Sequence, residues 1–268
     1  MLSLGAGAWR RFRPIMTVGT VLITGGAKRI GHAITLDFAA QGWAVAIHYG
    51  HSREEADALA AEIRASGGRA AALGADLARE SEVETLLPRA GAELGPITCL
   101  VNNASVFEMD KVDTATRESW DRHIETNLRA PLVLSQALAR QLPESAEGNI
   151  VNLLDQRVWK LTPYFLSYTV AKSGLWTLTR TLALALAPRI RVNGIGPGPT
   201  LPSTRQSDES FRRQQEALPL RRGATPEEIA GAIRFILASP SFTGQMLALD
   251  GGEHLGWAQP SRGVIASE

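Results

Sequence analysis

The chain has 268 residues, 44% of them hydrophobic, and sets 28 Lys and Arg against 27 Asp and Glu for a formal net charge of +1. That length and apolar content suffice for one full core, so a single globular domain is expected. Basic residues spread along the chain exclude a nucleic-acid stripe, no apolar run reaches the roughly 18 residues of a membrane span, and a single cysteine excludes an internal disulfide framework and fits a reducing, cytoplasmic setting.

Residues 1–16 carry Arg10, Arg11 and Arg13 beside Trp9 and Phe12, without an acid. They lack a secretory apolar segment and a clear cleavage site, so they read as a flexible extension before a domain at 17–257 and a tail at 258–268. From Val18 onward, β-branched runs alternate with amphipathic stretches. Strands are expected at 20–24, 44–48, 70–74, 98–102, 149–153, 190–195 and 246–249, and helices at 29–41, 54–66, 80–94, 117–142, 161–187 and 226–237. Strands separated by helices demand right-handed crossovers, hence an α/β, doubly wound, mostly parallel sheet covered on both faces. The irregular insert 197–219 is a candidate lid at the carboxyl edge of that sheet, where ligands bind in this architecture. Cys99 lies in an apolar run and reads as an inert core thiol.

The first strand runs into Thr24-Gly25-Gly26-Ala27-Lys28-Arg29-Ile30-Gly31. Glycines there allow close backbone approach, and the amides opening the next helix can receive a pyrophosphate. The second strand ends in His48-Tyr49-Gly50-His51-Ser52-Arg53, with no acid to hold a free ribose. Arg29, Ser52 and Arg53 offer donors to a 2′-phosphate, which favours NADPH, although Arg53 could instead pair with Asp57 four residues on. Asp76 with Leu77, and Asn102-Asn103-Ala104, follow the third and fourth strands where an adenine or ribose would cross, or else cap the next turn. Tyr168 is followed by Lys172 at one helical turn, which puts both on one face. An ammonium beside a phenol is expected to draw its pKa down from about 10 toward useful acidity. His32, His48, His51, His123 and His254 form no ligand spacing with Cys99, so no metal is expected.

Taken in order, Thr24 to Gly31, Asp76, Asn102-Asn103-Ala104, Asn127, Tyr168 with Lys172, Arg191-Val192-Asn193, Gly196-Pro197-Gly198 and Asp250-Gly251-Gly252 resemble the short-chain dehydrogenase/reductase family over nearly all of 18–252. The resemblance implies a Rossmann-like fold of about seven parallel strands, hydride transfer from a nicotinamide, and commonly a homotetramer. It implies Tyr168 as acid, Lys172 on the nicotinamide ribose, and Asn127 in a water-linked proton relay. NADPH contacts would come from Gly25, Arg29, Ile30, Gly31, His51, Ser52, Arg53, Asp76, Leu77, Asn103, Ala104, Lys172, Pro197 and Gly198.

Two departures narrow the resemblance. Arg29 replaces the family's usual middle glycine, and Asp155 its usual catalytic serine; with Asn103-Ala104-Ser105-Val106-Phe107 these resemble pteridine and dihydromonapterin reductases. Position 51 is His where the protozoal pteridine reductases carry Arg. By that resemblance Phe107 stacks on a pterin, Ser105 touches pterin or cofactor, and Asp155 with Tyr168 manages its proton. The chemistry agrees: an ionised carboxylate only accepts hydrogen bonds and would repel a developing alkoxide, whereas it suits a donor-bearing heterocycle. Phe107 as core filler and Asp155 as a structural acceptor are the plainer alternatives. The expected activity is NADPH-dependent reduction of a C=N bond in an oxidised or dihydro pterin, such as dihydromonapterin, dihydrobiopterin or dihydrofolate, with a carbonyl or 3-oxoacyl reductase as the alternative and an NADPH-binding regulatory protein without turnover as the non-enzymatic one.

Overall fold

The computed structural model describes residues 18–203 and 206–256, so the expected extension at 1–16 and the tail at 258–268 lie outside the described residues. In chain order the elements are β1 (Thr20–Ile23), α1 (Arg29–Ala40), β2 (Ala44–Tyr49), α2 (Arg53–Ala65), β3 (Arg69–Gly74), α3 (Glu80–Leu94), β4 (Ile97–Asn102), α4 (Arg117–Ile124), α5 (Ala130–Gln141), β5 (Gly148–Leu153), α6 (Leu166–Ala185), β6 (Ile190–Pro197), α7 (Asp208–Glu216), α8 (Pro226–Ala238) and β7 (Met246–Leu249). The seven strands pair in parallel in the order β3-β2-β1-β4-β5-β6-β7. This is a single Rossmann-like α/β domain. Side-chain alternation along each strand feeds two cores: Leu22, Leu73, Leu100 and Ile150 meet α3 and α5 on one face, while Val21, Ile23, Ile47 and Val101 meet α1, α2 and α8 on the other.

Strand order reverses between β1 and β4, which opens the ligand crevice at their carboxyl ends. Thr24 holds that corner closed at its base. Its hydroxyl accepts the Asn103 and Ala104 amides at 2.9 and 3.0 Å, and the Asn103 side chain donates to the Thr24 and Gly25 carbonyls at 2.8 and 3.1 Å.

Three expectations are corrected. The 161–187 helix starts only at Leu166, because Pro163 and a left-handed Phe165 (φ 59°) interrupt it. The 117–142 helix is two helices, joined by a π turn over Glu125–Arg129. The 197–219 insert contains α7, capped by Ser207 and with no buried residue, so it lacked the apolar period that marks a helix.

His48, 2% exposed, braces the glycine turn. Gly25 N–H donates to its Nδ1 at 3.1 Å, so Nε2 carries the proton and donates to the Ala75 carbonyl at 3.0 Å. Burial is the main cause that pushes its pKa from 6.5 down to about 4; the Ala75 bond opposes this and Arg89 adds to it. The unfolded chain therefore binds the extra proton first, so this stabilisation is complete above pH 6.5 and is lost as pH falls toward 4. Urea unfolding is expected to show His48→Gln flattening the stability loss between pH 7 and 4.5 by about 2 kcal/mol relative to wild type. Parallel pH profiles would remove the neutral-imidazole brace.

Candidate active site

Chain ends of β1, β4, β5 and β6 surround a cavity of about 490 Å³. Its lining brings together Arg29, Ile30, Asn103, Ser105, Phe107, Asp155, Tyr168, Lys172, Pro197 and Gly198 from the expected residues. Asp155 lies two residues past β5, in extended conformation, and caps the 3-10 turn Gln156–Val158. Its Oδ1 accepts the Arg157 amide at 2.8 Å. That cap turns Oδ2 toward the Tyr168 hydroxyl, which donates at 2.9 Å, and toward Arg157 Nη1 at 3.2 Å.

Tyr168 and Lys172 project from one face of α6, with Lys172 Nζ 5.8 Å from the phenol ring centroid and donating to the Leu153 carbonyl at 2.7 Å. The phenol's pKa does not fall below its ordinary value beside Lys172. Burial, then the charge and hydrogen bond of Asp155, hold it well above 10 against the smaller opposing effects of Arg157 and Ser105. Tyr168 is thus a protonated donor aimed at a carboxylate. Burial also pushes Lys172 down to about 8, with Asp155 opposing.

The Asn127 side chain is committed to the segment after β4. Its Oδ1 accepts the Val106 amide at 2.8 Å and the Ser105 hydroxyl at 3.2 Å, and its Nδ2 donates to the Val106 carbonyl at 2.9 Å. It clamps the 103–107 segment, so any share in a proton relay falls to its backbone within the π turn, a distortion that often marks functional sites. Phe107 is 41% exposed and is no core filler. Its ring stacks on Phe165 at 4.3 Å and meets Tyr168 edge-on at 4.8 Å. The Arg157 guanidinium lies 5.4 and 5.1 Å from the Phe107 and Phe165 rings.

At the β1 turn, a Cβ on Gly31 would stand 2.0 Å from the Gly25 carbonyl oxygen, so only glycine lets α1 pack there. No acid occupies the first turn of α1, which leaves its amide end open to an anion. Arg29 adopts φ 54°, a conformation that favours glycine, and donates to the Pro202 carbonyl at 2.9 Å. It thereby faces the cavity and its loop rather than the β2 corner. There His51 is exposed, Ser52 precedes α2 without using its hydroxyl as a cap, and Arg53 lies 5.5 Å over the Tyr49 ring. Among the described residues Arg53 forms no ion pair, so the alternative pairing with Asp57 is not made. Lys28 pairs with Glu55 of α2 and brings a second cation to that corner. These groups fit a phosphorylated ribose. Asp76 accepts the Ala78 amide at 2.9 Å and closes the turn before α3, while Leu77 is buried. Ala104 packs beside Gly25.

Cys99 is buried and its thiol is pushed up to about 12, mainly by desolvation. Among the described residues there is no metal-binding group of His, Cys, Asp or Glu, and no helix is long and apolar enough to cross a membrane. Sequence reasoning missed Lys28, Arg157, Phe165 and Glu253. Lys28 was signalled by its place in the glycine turn, and Arg157 by following a capping Asp at two residues. Phe165 enters through a left-handed reversal that no local pattern announced, whereas Glu253, at the cavity wall, was signalled by the Gly251-Gly252 pair before it.

Comparison with known proteins places the chain in a family. A family model described as Enoyl-(Acyl carrier protein) reductase matches residues 25–254. A 3-oxoacyl-[acyl-carrier-protein] reductase of Synechocystis sp. is 32% identical over 241 residues, 88% of this chain and 97% of the relative. Among solved structures, FolM Alternative dihydrofolate reductase 1 from Brucella suis, in complex with NADP, is 50% identical with a TM-score of 0.88, covering 92% of this chain and 98% of its own. Its Brucella canis counterpart, also complexed with NADP, is 49% identical with a TM-score of 0.89, covering 93% and 99%. The chain belongs to the short-chain dehydrogenase/reductase family, with Tyr168 and Lys172 as its Tyr-x-x-x-Lys pair.

Proposed function

We propose that the protein is an NADPH-dependent reductase of a C=N bond in a pterin or dihydropterin, with dihydromonapterin, dihydrobiopterin and dihydrofolate as candidate substrates. The observation that carries this reading is the Tyr168 hydroxyl donating to Asp155 at 2.9 Å. A carboxylate there accepts hydrogen bonds from ring N–H and amino groups, and it repels the alkoxide that a ketone would develop. Phe107 adds an aromatic surface at the cavity, suited to a flat heterocycle. The likeness to the two Brucella proteins at about half identity supports the same class.

When bound, the reduced nicotinamide supplies hydride to the ring carbon. Tyr168 delivers its hydroxyl proton to the adjacent nitrogen, and Asp155 holds the heterocycle's donors in register. The Lys172 ammonium offsets the phenolate left behind until the proton is restored through the Asn127 segment. Lys28, Ser52 and Arg53 would hold the 2′-phosphate, with the α1 amides on the pyrophosphate and Lys172 on the nicotinamide ribose. A homotetramer in the cytoplasm is the expected form of the enzyme.

Steady-state NADPH oxidation separates the substrate classes. Wild type should turn over a dihydropterin faster than a 3-oxoacyl thioester or a ketone, and Asp155→Ser should lose about a hundredfold or more of the pterin activity. Rapid carbonyl turnover without pterin turnover would replace the substrate, and NADPH binding with no oxidation of any substrate would make the protein a non-catalytic binder. Because the protonated Lys172 is lost as pH rises through about 8, kcat/KM should fall above that pH, and Lys172→Arg should move the alkaline limb upward. An unmoved limb would assign it to another group. Lys28→Ala with Arg53→Ala should raise the KM for NADPH by about tenfold or more and leave that for NADH nearly unchanged.

A further inference from the structure

Behind Tyr168, outside the cavity lining, lies a second buried polar cluster. Asp110 is 3% exposed, and His123 and Ser167 are fully buried. Asp110 Oδ1 accepts the Ser167 amide at 3.1 Å, and Oδ2 accepts the Ser167 hydroxyl at 2.5 Å and the Ser119 hydroxyl at 3.2 Å. The Asp110 carbonyl accepts the Leu166 amide at 3.3 Å. His123 Nε2 accepts the Glu108 amide at 3.2 Å, so its proton sits on Nδ1. Nδ1 then donates toward the Ser119 carbonyl at 2.9 Å and the Ser167 hydroxyl oxygen at 2.7 Å.

A serine, a histidine and an aspartate in contact suggest a hydrolytic triad, but the proton directions exclude one. The histidine nitrogen facing Ser167 is a donor and offers no lone pair, the serine proton already goes to the carboxylate, and the hydroxyl is sealed from solvent. The cluster solves a different problem. Helix α6 has no cap of its own, since Phe165 precedes it in a left-handed conformation without a side-chain acceptor. Asp110 supplies that cap from the loop three residues beyond Phe107 and takes the first two amides of α6. Although burial works against its charge, the Ser167 and Ser119 hydrogen bonds and the nearby His123 hold the Asp110 carboxyl below its usual range.

We infer that Asp110, Ser167 and His123 are positioning residues that lock the Phe107 loop to the first turn of α6, so that the aromatic surface and the Tyr168 hydroxyl keep one fixed spacing. This inference rests on Tyr168 being the proton donor, but not on the identity of the substrate.

Hydrogen exchange on the full-length, NADPH-loaded protein tests the lock without any substrate. In Asp110→Asn and in the milder Ser167→Ala, exchange in peptides covering 104–112 and 165–172 should rise together by about tenfold, with the β4 and β5 peptides unchanged. On whichever substrate the wild type reduces, Ser167→Ala should lower kcat by about tenfold, enlarge the isotope effect with 4-deuterated NADPH, and leave NADPH affinity within about twofold. Ser167→Thr, which keeps the hydroxyl, should recover most of that loss. Faster exchange in only one of the two segments, or unchanged kcat in a folded Ser167→Ala, would overturn the inference. Absence of pterin turnover alone would overturn the substrate reading and leave the lock standing.

Discussion

A phenol hydroxyl that donates into a half-buried carboxylate needs two surfaces brought to hydrogen-bond distance from segments thirteen residues apart in the chain. Tyr168 rides on α6, while Asp155 is held past the end of β5 by its own cap onto the Arg157 amide. Around that contact the protein arranges its other charges. Lys172 is anchored to the Leu153 carbonyl on the same strand that leads to Asp155, and Arg157 pairs with the carboxylate from the far side. The two cations and the phenol thus converge on an acceptor where the family's usual group is a neutral hydroxyl.

Two non-glycine residues near this centre take left-handed backbone, Arg29 at the β1 turn and Phe165 just before α6. Such conformations cost on the order of 1 kcal/mol each and persist where surrounding contacts enforce them. Arg29 is held by carbonyls of the loop after β6, and Phe165 by stacking on Phe107 and by the Asp110 cap that fixes the amides following it. Backbone strain, an aromatic stack and the proton donor thus share one structural unit.

Much of this was legible from the residues alone. The alternation of β-branched runs with amphipathic stretches gave all seven strands, because a parallel sheet buried on both faces leaves near-continuous apolar runs such as Val21-Leu22-Ile23. Tyr168 with Lys172 stood out by helical spacing, whereas Asp155 stood out only against the serine usual in the family that the chain resembles, and the structure brings the three to one cavity. Less visible was whatever depends on tertiary contact. The polar helix α7 has no buried face, the late start of α6 turns on Phe165, and the high pKa of Tyr168 reflects burial and an Asp thirteen residues away rather than its neighbour Lys172. Asp110 carried no signal, because its role as a cap exists only once α6 has been laid beside its loop.

The central claim is that the Asp155 carboxylate, held against Tyr168, selects a donor-bearing heterocycle over a carbonyl compound. Calorimetric titration of a non-reducible 2-amino-4-oxopteridine into the NADP-loaded protein measures that selection apart from turnover. Tight binding to wild type, weakened by about tenfold to a hundredfold in Asp155→Ser with NADP affinity intact, is expected for a charge-assisted hydrogen bond. Equal affinity for the two proteins, or no binding to wild type, would contradict it.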